Sequence, residues 1–253
     1  MTRMPNPAPE RLRPDGRGGV VILCDHASNH IPPELNGLGL DPACLETHIA
    51  VDIGAAEVAR RLSERLDAPA ILAPVSRLAV DLNRNPATQD PVPAESDGIV
   101  IPGNQGLTDA MRAERLERWF HPYHAACAAQ VASMMAQGER PVVIGLHSFT
   151  PRMEGEARPW EIGFLYDRDP RLFRAFHARL SEIWDFTIGD NEPYSGRELY
   201  YTMQRHGEAH GLLQATVELR QDLIADAAGQ DRWAGILEAC LKKIRQSNDL
   251  QIE

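Results

Sequence analysis

Apolar positions in this chain come either as short unbroken runs or at helical spacing, and the two kinds alternate. Val20-Val21-Ile22-Leu23-Cys24 is continuous and rich in β-branched residues, the pattern of a strand buried on both faces. It stops at the polar cluster Asp25-His26-Ala27-Ser28-Asn29-His30, and Pro32-Pro33 then breaks the chain. Residues 53–66 carry Ile53, Val58, Leu62 and Leu66 at helical spacing. A short strand is expected at 70–73. The alternation of Leu78, Val80 and Leu82 predicts a half-buried strand over 76–85. Residues 86–106 are rich in Pro, Asp and Gly, a long connection of the kind that often carries function. The longest helical stretch is 108–137, broken or kinked near Pro122. Further strands are expected at 141–146, 161–166, 186–188 and 212–219. Further helices are expected at 170–184, with Asp169 as N-cap, and at 199–210 and 230–245.

Strands alternating with helices predict a single α/β domain over 19–253, a three-layer arrangement around a mostly parallel or mixed sheet. The N-terminal 18 residues are expected to be a flexible tail. Ligands of such sheets sit beyond the carboxyl ends of the strands. Polar residues of catalytic type gather where three predicted strands end: Asp25 and His26, His147 and Ser148, Glu218 and Arg220.

Composition narrows the function classes. The formal net charge of −10 argues against nucleic acid or an anionic membrane as main partner, though not against a small anionic substrate met by a local Arg cluster. The four cysteines show no CxxC spacing, so a cysteine-based zinc ribbon is excluded and reduced thiols are expected. There is no apolar signal core and no run long enough to span a bilayer, so a cytoplasmic location is expected. GxSxG, P-loop, GxGxxG and HExxH motifs are absent.

One histidine at one strand end is a weak signal. Two, His26 and His147, could converge on one metal ion, because adjacent strands lie about 5 Å apart. A hydrolytic zinc site needs three protein ligands and one open position. Asp52 or Asn29 could be the third. Asp52 is preferred because an amide is an uncommon zinc ligand, although an Asp before a helix is commonly only an N-cap. Glu218, in the apolar run 215–219, is costly to bury unless it is paired or used, and it suits a general base. Arg77, Arg84 and Arg197 could grip a substrate carboxylate in bidentate fashion. Tyr194 lies in a turn-rich loop that could line a pocket.

These segments together resemble the N-formylglutamate amidohydrolase family over about 20–224. The resemblance rests on Asp25-His26-Ala27-Ser28-Asn29, Asp52-Ile53-Gly54-Ala55, Val80-Asp81-Leu82-Asn83-Arg84, His121-Pro122-Tyr123-His124, the stretch Gly145 to Pro151, Asn191-Glu192-Pro193-Tyr194 and Val217-Glu218-Leu219-Arg220. It implies a fold like that of zinc carboxypeptidases and cell-wall amidases. It also implies one zinc per chain on His26, Asp52 and His147, with Glu218 as base. The substrate implied is a small anionic N-acyl amino acid such as N-formyl-L-glutamate. Candidate substrate contacts are Asn83, Arg84, Ser148, Tyr194, Arg197 and Arg220. The loop 195–207 departs from the family pattern, so the reaction class carries over better than the substrate. The alternatives are an amidase for another N-acyl amino acid or peptide conjugate, and a binding protein that has lost catalysis.

Overall fold

The structure, a computed structural model, describes residues 6–246. Its strands are β1 (Glu10–Leu12), β2 (Val20–Cys24), β3 (Ala70–Leu72), β4 (Glu95–Ser96), β5 (Ile99–Val100), β6 (Val142–Phe149), β7 (Arg152–Met153), β8 (Glu156–Ala157), β9 (Ile162–Leu165), β10 (Ile188–Asp190) and β11 (Gln214–Arg220). The helices are α1 (Ala55–Leu66), α2 (Asp109–Arg115), α3 (His121–Ala136), α4 (Arg171–Ile183), α5 (Tyr201–His206) and α6 (Ala227–Gln246). Seven strands form one sheet in the order β1-β3-β2-β6-β11-β9-β10. The four inner strands β3, β2, β6 and β11 run parallel, while β1 at one edge and β9 with β10 at the other run against them. This is the predicted single-domain α/β class with a mixed, mostly parallel sheet.

The sheet divides two cores. On one face Ile22, Ile144 and Val217 pack with Val58 and Leu62 of α1, Phe176 of α4, and Trp233 and Leu237 of α6. On the other, Leu23 and Val143 pack with Tyr123, Cys127 and Val131 of α3 and Met203 of α5. Burial on both faces is why β2, β6 and β11 are legible as unbroken apolar runs.

Several expectations shift. The stretch 76–85 is not a strand but a series of buried turns, with Ala79 and Val80 N–H both bonding to Ser76 O. Its alternation is real, but it serves two clusters: Leu78 packs with Ile49 and Ile101, whereas Val80 and Leu82 join the α3 core. Its carbonyls are met by side chains, Leu78 O by Asn104, Ala79 O by Arg115 and Leu82 O by His124. The predicted strand at 186–188 begins two residues later as β10, because Phe186 is stacked between Trp184 and Trp233. The predicted helix 199–210 is only α5 followed by a 3-10 turn. Of the stretch read as a flexible tail, residues 1–5 lie outside the described residues, and residues 10–12 form β1, paired with β3.

The kink near Pro122 is a π-helical turn, Leu116–Phe120, joining α2 to α3. His121 N–H bonds to Leu116 O, five residues back. Proline has no N–H, and its ring clashes with the carbonyl four residues before it in an α-helix. The wider turn relieves that clash, and the carbonyl concerned, Arg118 O, accepts instead from the Asn6 side chain.

Candidate metal centre and active site

The site forms at the carboxyl ends of β2, β6 and β11. His147 and Glu218 are register partners on the parallel pair β6–β11, so they are side by side on one face. His26 follows β2 by two residues. Asp52 arrives on the turn into α1, tied to the end of β2 by its N–H to His26 O. It does not cap that helix. The cap position is Gly54, at φ +78°, where a Cβ would sit 2.2 Å from Ile224 O. Only glycine fits that approach, and the Asp52 carboxylate is left free to face the histidines.

The His147 Nδ1 lies 2.9 Å from Asp52 Oδ2, and His26 Nδ1 lies 3.3 Å from the same oxygen. One ligand atom from each of the three residues falls within 4.8 Å of the others, and all three residues are buried. Asn29, the alternative third ligand, instead donates to Glu46 on the exposed side. The outer nitrogens also meet carboxylates. His26 Nε2 is 2.9 Å from Asp81 Oδ1. His147 Nε2 is 3.3 Å from Asp25 Oδ2, within ion-pair range but off the line of a hydrogen bond. Arg77 bridges the layers, donating to Asp52 Oδ1 at 3.3 Å and Asp81 Oδ2 at 3.1 Å.

This donor set fits a divalent cation. A carboxylate only accepts, so the Asp81 contact places a hydrogen on His26 Nε2 and, in the neutral ring, turns the Nδ1 lone pair toward Asp52. A lone pair and a carboxylate oxygen face to face need extra protons or a cation between them. Four carboxylates, Asp25, Asp52, Asp81 and Glu218, are each 5% exposed or less around one bridging guanidinium, so the pocket is short of positive charge. Without a cation the rings take up that role. Burial alone lowers the His147 imidazole, but its contacts with Asp25 and Asp52 raise it well above the ordinary value. Burial and Arg77 lower His26, while Asp81 and Asp52 raise it further. Burial would raise Asp52, yet the two histidines hold it far below the usual carboxylate range.

Glu218 differs. Burial pushes its carboxyl up to about 7, and its Oε2 is buried with no hydrogen-bond partner. It lines a cavity of about 170 Å³ together with the three candidate ligands. Asn83, Arg84, Ser148 and Tyr194 border the same cavity. Arg84 is partly engaged, 3.4 Å from Asp81 Oδ2 and donating to Asp90 O. Ser148 Oγ donates to Ile53 O. Arg197 and Arg220 do not line the cavity: Arg197 is exposed, and Arg220 pairs with Asp222 at 2.8 Å.

Other residues at the site were given no role by the sequence. Asp25 and Asp81, which lie in the family-like segments 25–29 and 80–84, back the histidines. Arg158 donates to Tyr194 Oη and Thr150 Oγ1, both at 3.1 Å, and its guanidinium lies 4.9 Å from the Tyr194 ring. His48 and Asp97 pair at 3.0 Å on the cavity wall, Asp97 coming from the turn between β4 and β5 in the long 86–106 connection.

Residues 18–225 match the family model described as N-formylglutamate amidohydrolase. No curated protein matches the chain. The crystal structure of gene product Atu2144 from Agrobacterium tumefaciens is similar at 37% identity and TM-score 0.90, covering 93% of this chain and 94% of that one. The crystal structure of N-formylglutamate amidohydrolase from Ralstonia eutropha JMP134 shares the fold at 19% identity and TM-score 0.61, covering 95% of this chain and 99% of that one.

Proposed function

The chain belongs to the N-formylglutamate amidohydrolase family, and on that premise we propose that it is a zinc-dependent hydrolase cleaving the amide bond of a small N-acyl amino acid of the N-formyl-L-glutamate type. The products are the acid, formate in that case, and the free amino acid. The observation that carries this reading is the pairing of His147 with Glu218 across β6 and β11, with the buried Oε2 of Glu218 unpartnered beside the His26–Asp52–His147 cluster.

His26, Asp52 and His147 would hold the metal, a two-nitrogen, one-oxygen set of the kind that leaves a position open in hydrolytic zinc sites. When bound, a divalent cation there supplies Lewis-acid chemistry and makes a water more acidic. Glu218 takes one proton of the attacking water as oxygen adds to the acyl carbon. The C–N bond then breaks, and Glu218 returns that proton to the leaving nitrogen. Arg84 offers its guanidinium edge to the substrate carboxylate. Tyr194, whose oxygen already accepts from Arg158, keeps its hydroxyl proton to donate toward the substrate. Asp25 and Asp81 hold the ligand rings so that both Nδ1 atoms face inward.

Glu218→Gln keeps the shape and removes the base. It should retain about one equivalent of zinc and lower kcat by about 10²–10⁴-fold; near-full turnover would overturn the assignment. Hydrolysis of a panel of N-acyl amino acids separates the formylglutamate type from other acyl groups. A cytoplasmic setting is part of the proposal, supported by four cysteines that are all unpaired. Among the described residues no helix is long and apolar enough to cross a membrane.

A further inference from the structure

The mechanism leaves one conspicuous motif without work: His121-Pro122-Tyr123-His124, at the start of α3 just past the π turn. Tyr123 and His124 are fully buried. Tyr123 donates its hydroxyl to Asp25 Oδ1 at 2.7 Å, and the other oxygen of that carboxylate faces His147 Nε2 at 3.3 Å. His124 Nε2 lies 2.9 Å from Leu82 O. Leu82 directly follows Asp81, whose Oδ1 meets His26 Nε2 at 2.9 Å. Two consecutive residues of one helix therefore reach toward the supports of both metal-facing histidines, one through a side chain and the other through the backbone.

The polarity of this network is fixed. A carbonyl only accepts, so His124 Nε2 carries its hydrogen and Nδ1 of the neutral ring accepts. The atom 2.9 Å from that Nδ1 is His206 Nε2, which must then donate. Burial keeps both rings neutral, His124 at about 4 and His206 at about 3. α5 adds a second tie to the same loop, Thr202 N–H donating to Asn83 Oδ1 at 3.1 Å. Both supports are thus anchored in the α3–α5 side of the core, away from the cavity.

We propose that Tyr123 and His124, with His206 behind it, form a positioning brace that sets the metal affinity of the centre by holding the Asp25 and Asp81 carboxylates against His147 and His26. This rests on the metal-centre reading given above. None of the three residues is among the metal-facing set or lines the cavity. Their effect is transmitted through the carboxylates, as expected where partners of ligating histidines tune affinity about 10–100-fold.

The test is zinc affinity of the full chain, measured by competition with a chromogenic chelator, with folding checked by thermal unfolding. Tyr123→Phe should weaken zinc binding by about tenfold or more while the protein stays folded. His124→Met should weaken it similarly, and His124→Gln, whose amide can still donate to Leu82 O, should recover part of the loss. In an Asp25→Ala background, Tyr123→Phe should have little further effect on affinity, because the acceptor that links Tyr123 to His147 is already gone. A merely structural role would instead lower the unfolding temperature in both backgrounds and leave affinity unmoved. Zinc binding by Tyr123→Phe within twofold of the parent overturns the brace alone. A parent that takes up no divalent metal overturns the metal centre and the brace together.

Discussion

His26 and His147 meet edge to face with ring centroids 4.9 Å apart, while His124 and His206 stack at 5.2 Å. All four rings are 4% exposed or less. Their partners differ. The first pair is ringed by Asp25, Asp52 and Asp81, whereas the second meets one backbone carbonyl, its own members, and, around His124, the rings of Phe120 and Tyr201 at 4.4 and 5.3 Å. Burial pulls all four toward the neutral form, but only where carboxylates stand opposite is that pull reversed. Burial of a histidine therefore says little about function. A histidine whose two nitrogens both face carboxylates stands where positive charge is called for, whereas one that faces a carbonyl and an aromatic wall is held neutral.

The strongest way to break this contrast is to remove one ring from each pair. His147→Ala should drop metal content below a tenth of an equivalent and take activity to background. His206→Phe should keep the metal stoichiometry, weaken zinc affinity only by the modest factor expected of a positioning residue, and cost about 1–3 kcal/mol of stability, since His124 Nδ1 loses its donor inside the core; metal analysis and denaturant unfolding read the two effects separately. Acid sharpens the difference. The second pair is neutral when folded and protonates near 6.5 when unfolded, so the unfolded state binds more protons below that pH. The contribution is fully present above about 6.5 and is lost as pH falls toward 4. Zinc-loaded protein should lose about 2–4 kcal/mol of unfolding free energy between pH 7 and 5 from this pair, seen as a slope that flattens in His206→Phe. In metal-free protein the first pair works with the opposite sign, because its folded-state values are raised and its contribution disappears as pH rises. The smallest effect is expected outside both pairs: Arg197→Ala should leave kcat/KM within about twofold, as for other surface changes.

The first pair was legible in the sequence and the second was not. Val20 to Cys24, 141–146 and 212–219 announce themselves as strands because both faces are buried, and His26, His147 and Glu218 stand out as polar groups at or in those runs. Asp52 was preferred to Asn29 because an amide is an uncommon zinc ligand, against the N-cap reading that the following helix suggested. What the sequence hides is the partner of a buried group. Tyr123 and Asp25 are 98 positions apart, and no periodicity links them. Alternation at 76–85 predicted a half-buried strand, whereas 78–83 are turns buried throughout between two clusters. Arg197 was singled out for its guanidinium and Arg220 for its place at a strand end and in the motif 217–220; side-chain direction leaves one in solvent and pairs the other with Asp222.

The π turn at Leu116–Phe120 has a consequence for chain length. A π turn takes in one residue more than an α turn, so losing a single residue there would close it to ordinary α-helix and leave α3 facing nearly the same way. Pro122 would then meet a carbonyl four residues back, and that clash is the expected cost of the deletion. The wide turn is thus where the chain takes up one residue without turning Tyr123 and His124 off the sheet.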